Sequence, residues 1–279
     1  MTRPRDFAQV DVFSAAPFHG NPLAVILDAE GLSNTQMQQI ASWTNLSETT
    51  FVLPPTQAGA DYRVRIFTPT GELPFAGHPT LGTAHAWLEN GGSPLADAAI
   101  TQQCAAGLVT IRQEGGMLFF AAPDTMRSGE LDAATLGHIR ESLGVAPEDI
   151  SGHQWVDNGP GWAAVQLESA EQVLALEPDF AAAQDLKFGV IGAFPAGSEF
   201  AFEIRAFLPD RHAEDPVTGS LNASVAQWLH RAGQVGSSYR VSQGTRLGRA
   251  GDVHITCEDN GTIWVGGAVT TCFRGTATA

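Results

Sequence analysis

Short apolar-rich runs, broken by Gly, Pro, Asn and Asp, recur along the whole chain and predict a mixture of strands and a few helices. In the first half they predict strands at Ala8–Phe13, Leu23–Leu27, Thr49–Leu53 and Arg63–Phe67. A helix is expected from about Asn34 to Trp43, with Ser33 as its N-cap, and another from about Thr80. The second half predicts helices near Ala134–Ser142 and Leu221–Arg231. Its strands are expected at Trp162–Leu167, Ala201–Phe207, Val253–Cys257 and Thr262–Val265.

The pattern repeats itself. Arg65-Ile66-Phe67-Thr68-Pro69 is echoed by Arg205-Ala206-Phe207-Leu208-Pro209. A related turn follows each: Glu72-Leu73-Pro74-Phe75-Ala76-Gly77-His78, then Glu214-Asp215-Pro216-Val217-Thr218-Gly219-Ser220. Each turn runs into a helical stretch rich in small residues. Later, Val109-Thr110-Ile111 ahead of Gly115-Gly116 matches Val253-His254-Ile255 ahead of Asn260-Gly261. Matches in one order at nearly constant offset imply a duplicated unit. Two similar α/β halves are therefore expected, 1–125 and 130–279, with the last strand a candidate to return to the first half.

Composition narrows the function classes. The net charge of −15 argues against a nucleic-acid partner. No apolar run is long enough for a membrane span, and Met1–Val10 lacks the apolar stretch of a signal peptide, so a cytoplasmic protein is expected. Lys187 is the only lysine, in an undistinguished stretch, which disfavours Schiff-base chemistry. Cys104, Cys257 and Cys272 are widely spaced and read as free thiols rather than metal ligands. With no P-loop and no dinucleotide fingerprint either, neither cofactor nor metal is expected.

Candidate chemistry gathers at the repeated turns. Gly77 and Gly219 each stand between an extended segment and a helix, whose first N–H groups favour an anion such as a carboxylate. An isolated glycine commonly does no more than make a turn. Paired occurrence favours two helix starts facing each other across a cleft. His78, Asp215 and Ser220 are the polar side chains beside these turns. Glu48 lies ahead of an apolar strand among mostly uncharged neighbours, a setting that suits a carboxyl to give and take protons. A surface cap or ion pair is the plainer alternative for Glu48.

These residues fall within a longer resemblance to PhzF-like proteins, of the phenazine-biosynthesis family. The matching pieces begin with Asp11-Val12-Phe13, Gly20-Asn21-Pro22 and Asn45-Leu46-Ser47-Glu48-Thr49-Thr50-Phe51. Arg65-Ile66-Phe67-Thr68-Pro69, the first repeated turn through Pro79, Asn158-Gly159-Pro160 and the second repeated turn follow, then Gln243-Gly244 with Leu247-Gly248-Arg249. The resemblance implies the diaminopimelate-epimerase-like fold, an α/β (α+β) architecture of two pseudo-symmetric halves. Each half is a curved, mostly antiparallel sheet around a central helix.

The resemblance also implies roles. Glu48 matches the general acid–base; Asp215 and His78 complete the catalytic set. Gly77, Gly219, Ser220 and Asn21 bind the substrate, a small carboxylate. In the best-understood members a proton moves between carbons of trans-2,3-dihydro-3-hydroxyanthranilate without cofactor or metal, and the proteins are typically homodimers. The related epimerases carry two cysteines just ahead of the turn glycines. Here Ala76 and Thr218 stand there, which excludes a two-thiol mechanism. Ala196-Gly197-Ser198-Glu199-Phe200 is smaller and more acidic than in phenazine-pathway members, which limits the substrate assignment. Two other readings stay open: a two-base epimerase or racemase using Glu48 and Asp215, and a non-catalytic binding protein of the same fold.

Overall fold

The computed structural model describes residues 2–97 and 99–279. Its internal contacts divide it into two units, Met1–Ala121 with Gly266–Ala279, and Ala122–Val265.

The first unit contains β1 (Pro4–Val12), β2 (Asn21–Ile26), α1 (Asn34–Thr44), β3 (Thr49–Leu53), β4 (Tyr62–Phe67) and β5 (Glu72–Leu73). Then come α2 (Gly77–Glu89), β6 (Ala99–Cys104), β7 (Gly107–Glu114) and β8 (Met117–Ala121), and the last strand, β17 (Val269–Thr278). β1 pairs antiparallel with β17 and with β2. β2 and β3 run parallel, β3 and β4 antiparallel, and β4 pairs antiparallel with β5 and parallel with β6. β6, β7 and β8 form an antiparallel meander.

The second unit opens on α3 (Ala133–Leu143) and then repeats that order. It has β9 (Ile150–Trp155), β10 (Ala163–Leu167), α4 (Ala170–Ala175), β11 (Phe188–Ala193), β12 (Phe202–Leu208) and β13 (Ala213–Asp215). α5 (Gly219–Arg231), β14 (Ser238–Gln243), β15 (Gly251–Cys257) and β16 (Ile263–Gly267) follow. β9–β10 is antiparallel, β10–β11 parallel, β11–β12 antiparallel, β12–β13 antiparallel, β12–β14 parallel and β14–β15 antiparallel. The sequence of pairings is the same as in the first unit, and in both units most pairings are antiparallel.

The echo extends to side chains. Arg65 grips Glu72 through two bonds of 2.7 and 2.6 Å and lies 5.0 Å over the Phe67 ring. Arg205 grips Glu214 at 3.0 and 2.7 Å and lies 4.9 Å over Phe207. The second pair is the more deeply buried, and its guanidinium also donates to Val173 and Leu176 carbonyls at the end of α4. Those extra bonds supply the hydrogen bonding that a buried ion pair requires.

α2 and α5 are buried around most of their circumference, as a helix wrapped by its own sheet must be. α2 packs on β1, β2, β3, β6 and β8. Close approach is permitted by Gly82, whose added Cβ would stand 2.6 Å from Leu23 and 2.9 Å from Val12.

The strands and helices that the hydrophobic pattern predicts lie close to where it puts them, but it does not predict β5, β6, β9, β11, β13 or β14, and three helices differ. α2 starts at Gly77, three residues ahead of Thr80, because Pro79 falls in the first turn, where no N–H is needed. α5 likewise starts at Gly219 rather than Leu221. α4 is too short for its period to stand out, although Ser169 and Gln172 form a capping box around its start.

Candidate active site

In the first unit Glu48 is held by the connection between α1 and β3. α1 is capped by Ser33, ends on Asn45 in the left-handed region, and is tied to β3 by a 2.7 Å contact between the Thr44 and Thr49 hydroxyls. Glu48 precedes β3 with its side chain 14% exposed, and its Oε2 lies 3.4 Å from Nε2 of His78. His78 is the second residue of α2. At that separation the two are within ion-pair distance, but Nε2 makes no hydrogen bond of ordinary geometry.

The state of His78 follows from its surroundings. Asn21, fully buried at the start of β2, has its amide nitrogen 3.5 Å from Nδ1 of the ring. Nε2, on the other side of the ring, faces Glu48. Burial pushes the His78 pKa down to about 3. The Glu48 carboxyl acts in the opposite direction, yet it would have to raise the value by roughly four units to charge the ring at pH 7. His78 is therefore a neutral imidazole beside Glu48 and does not serve as an acid near neutrality.

The helix starts differ from the others. α1, α3 and α4 are capped by the side chains of Ser33, Asp132 and Ser169. α2 has Ala76 at its N-cap and no side-chain cap, and Pro79 has no N–H. Gly77 and His78 therefore carry the outward-pointing donors of this helix.

In the second unit α5 has Thr218 as N-cap, and it too lacks a side-chain cap. The Thr218 hydroxyl is turned away to donate to Oδ2 of Asp215 at 2.5 Å. Gly219 and Ser220 are the first residues of α5. Ser220 is fixed from both ends: Asn158 Nδ2 donates to its carbonyl at 3.0 Å and the Trp162 indole N–H to its hydroxyl at 3.0 Å. An asparagine thus contacts the second residue of each uncapped helix, Asn158 the Ser220 backbone carbonyl and Asn21 the His78 ring.

Within the first unit the structure brings together Glu48, His78, Gly77 and Asn21. Within the second it brings together Asp215, Gly219 and Ser220. Among the described residues no group of three His, Cys, Asp or Glu is placed to hold a metal ion, and no helix is long and apolar enough to cross a membrane. None of the cysteines is disulfide-bonded; burial raises the Cys104 and Cys257 thiols, and none lies at either turn.

Residues 10–275 match the model of the phenazine biosynthesis-like protein family. The chain belongs to that family. Its relatives in the PhzF family include "Antisense-enhancing sequence 1" of Schizosaccharomyces pombe, 37% identical over 96% of this chain and 97% of that protein. The trans-2,3-dihydro-3-hydroxyanthranilate isomerase of Pseudomonas chlororaphis is 37% identical over 86% of each chain. A Bacillus anthracis PhzF-family crystal structure covers 99% of both chains with a TM-score of 0.83 at 22% identity, which establishes the PhzF fold.

Sequence reasoning singled out Gln243 and Asn158 only as parts of the PhzF resemblance and passed over Trp162. Gln243 is fully buried and makes four hydrogen bonds around the α5 start. The periodicity of the repeat held no signal for it, since its partners lie 21 to 28 residues away in the chain. The small, acidic stretch at 196–200 also changes meaning. Arg240 of β14 reaches into it, bonding Glu199 at 2.8 Å and lying 4.7 Å over Phe200, so an arginine arrives there from elsewhere in the chain.

Proposed function

We propose that this PhzF-family protein is a cofactor-independent isomerase that moves a proton on a small carboxylic acid resembling trans-2,3-dihydro-3-hydroxyanthranilate. Glu48 is its general acid and base. The observation that carries this reading is the Glu48 carboxyl, 3.4 Å from a buried, neutral His78 at an uncapped helix start.

The chemistry runs as a shift within one molecule. The Glu48 carboxylate takes a proton from one substrate carbon, and the C–H electron pair moves into the adjoining π system. The protonated Glu48 then gives a proton to another carbon on the same face, so atoms and charge balance. The Gly77 and His78 amides hold the substrate carboxylate and the charge pushed toward it. His78, neutral and 3.4 Å from the Glu48 oxygen, adds no charge beside the acid–base carboxyl. The trans-2,3-dihydro-3-hydroxyanthranilate isomerase activity named for the Pseudomonas chlororaphis relative supports this substrate class.

The repeat favours one acid–base carboxyl over a matched pair. Thr49 pairs with Phe67 as Phe188 pairs with Phe207, so Lys187 stands where Glu48 stands in the first unit. The duplicated position thus offers a lysine and no second carboxyl group. Turnover of trans-2,3-dihydro-3-hydroxyanthranilate by wild type and by Glu48→Gln, in D2O, tests the reading. The wild type is expected to retain part of the substrate's own hydrogen in the product. Glu48→Gln is expected to lose about a hundred- to ten-thousand-fold in turnover while still binding. Unchanged turnover in Glu48→Gln would sink the proposal, and complete solvent labelling would favour two bases.

A further inference from the structure

Gln243, at the end of β14, bonds Asp215, Thr218 and Asn222 around the α5 start. It is fully buried, and all of its amide valences are used. Its Oε1 accepts from the Thr218 N–H at 2.9 Å and from Asn222 Nδ2 at 2.8 Å. Its Nε2 donates to the Thr218 hydroxyl at 2.9 Å and to the Asp215 carbonyl at 3.2 Å. Turning the amide over would set its NH2 against two donors, so this orientation is determined by its partners. The hydroxyl of Thr218 accepts from Gln243, which leaves its own proton for Oδ2 of Asp215.

Thr218 is the N-cap residue of α5, with extended backbone at φ −110° and ψ 99°. A threonine there ordinarily turns its hydroxyl onto the second or third amide of the helix, here Ser220 or Leu221. It does not do so. The first unit solves the same problem differently, because Ala76 has no group with which to cap. We infer that Gln243 is a positioning residue: by holding the Thr218 hydroxyl it keeps the amides at the start of α5 open for an anion and aims the carboxylate of Asp215. The inference rests on the isomerase reading and on the part in its site that the PhzF resemblance implies for this helix start and for Asp215.

The test needs a readout that a mere staple between β14 and α5 would not move in the same direction. Amide hydrogen exchange at Ser220 and Leu221 is compared in the wild type, Gln243→Met and Gln243→Met/Thr218→Ala, each checked for folding by circular dichroism. Released Thr218 is expected to cap its own helix in Gln243→Met and slow exchange at one of these amides by about two- to thirtyfold, the range an N-cap commands. Adding Thr218→Ala is expected to restore wild-type exchange. With trans-2,3-dihydro-3-hydroxyanthranilate, Gln243→Met is expected to raise KM more than it lowers kcat.

Unchanged or faster exchange in a folded Gln243→Met protein overturns the inference. Should Gln243→Met not fold, Gln243→Glu keeps the acceptor bonds to Thr218 and Asn222 and draws the Thr218 hydroxyl proton away from Asp215. A shifted pH–rate profile is then expected, and a wild-type profile overturns the inference. If the wild-type protein neither binds nor converts the probe, the functional reading fails, and exchange at Ser220 and Leu221 still decides the role of Gln243.

Discussion

Ala76→Ser separates the stability of α2 from its use. Ala76 has φ −154° and ψ 141°, close to the φ −142° and ψ 157° at which Ser169 caps α4. A serine at 76 therefore enters an existing cap geometry without moving the backbone. N-cap residues commonly contribute about 0.5–2 kcal/mol by accepting from the second or third amide of the helix. Here the third residue is Pro79, so only the His78 N–H is available, and the gain should fall at the low end, about 0.5–1 kcal/mol. For a chain of this length that corresponds to a rise in Tm of roughly 2 °C. The same bond withdraws one of two amides from the bound carboxylate. Hydrogen bonds to charged groups contribute about 1.5–3 kcal/mol, so the Kd for a carboxylate probe should rise about ten- to a hundredfold. Thermal unfolding and calorimetric titration with 3-hydroxyanthranilate measure both quantities on one preparation. Higher Tm with unchanged affinity would refute the assignment of the Gly77 and His78 amides to the anion.

Three further outcomes are expected. Asp215→Asn should slow turnover by less than Glu48→Gln if Asp215 only orients, and steady-state kinetics of the two variants side by side decides this. His78, neutral in the fold with a pKa near 3 against an ordinary value of 6.5, binds fewer protons folded than unfolded between those values. Its contribution to stability is thus complete above pH 6.5 and lost as pH falls toward 3, on the order of 1 kcal/mol per pH unit; denaturant titrations of wild type and His78→Gln should diverge in that window. Gly192→Ala would put a Cβ 2.2 Å from the Ser169 carbonyl oxygen, which is backbone and cannot swing aside, so α4 must shift. A loss of about 1–3 kcal/mol is expected in urea unfolding, and a neutral result would mean that α4 docks loosely on β11.

The amino-acid sequence by itself determined the duplication, most strands and the turns at Gly77 and Gly219, because these are written in local hydrophobic period and turn chemistry. Glu48, His78 and Asp215 were legible as candidates for the same reason: each adjoins a repeated or distinctive local motif. The charge state of His78 was decided by tertiary structure. The neutrality of His78 comes from burial among strands distant in sequence, with Asn21, 57 residues away, against its ring. That the Thr218 hydroxyl serves Asp215 and not its own helix depends on Gln243, delivered by the parallel pairing of β14 with β12. The equivalence of Lys187 with Glu48 appears only once the strand registers align them. Local pattern fixes which segment becomes helix or strand, since those bonds close within a few residues. Protonation and hydrogen-bond direction are set by whichever groups the sheet brings alongside, and that register is a property of the whole fold.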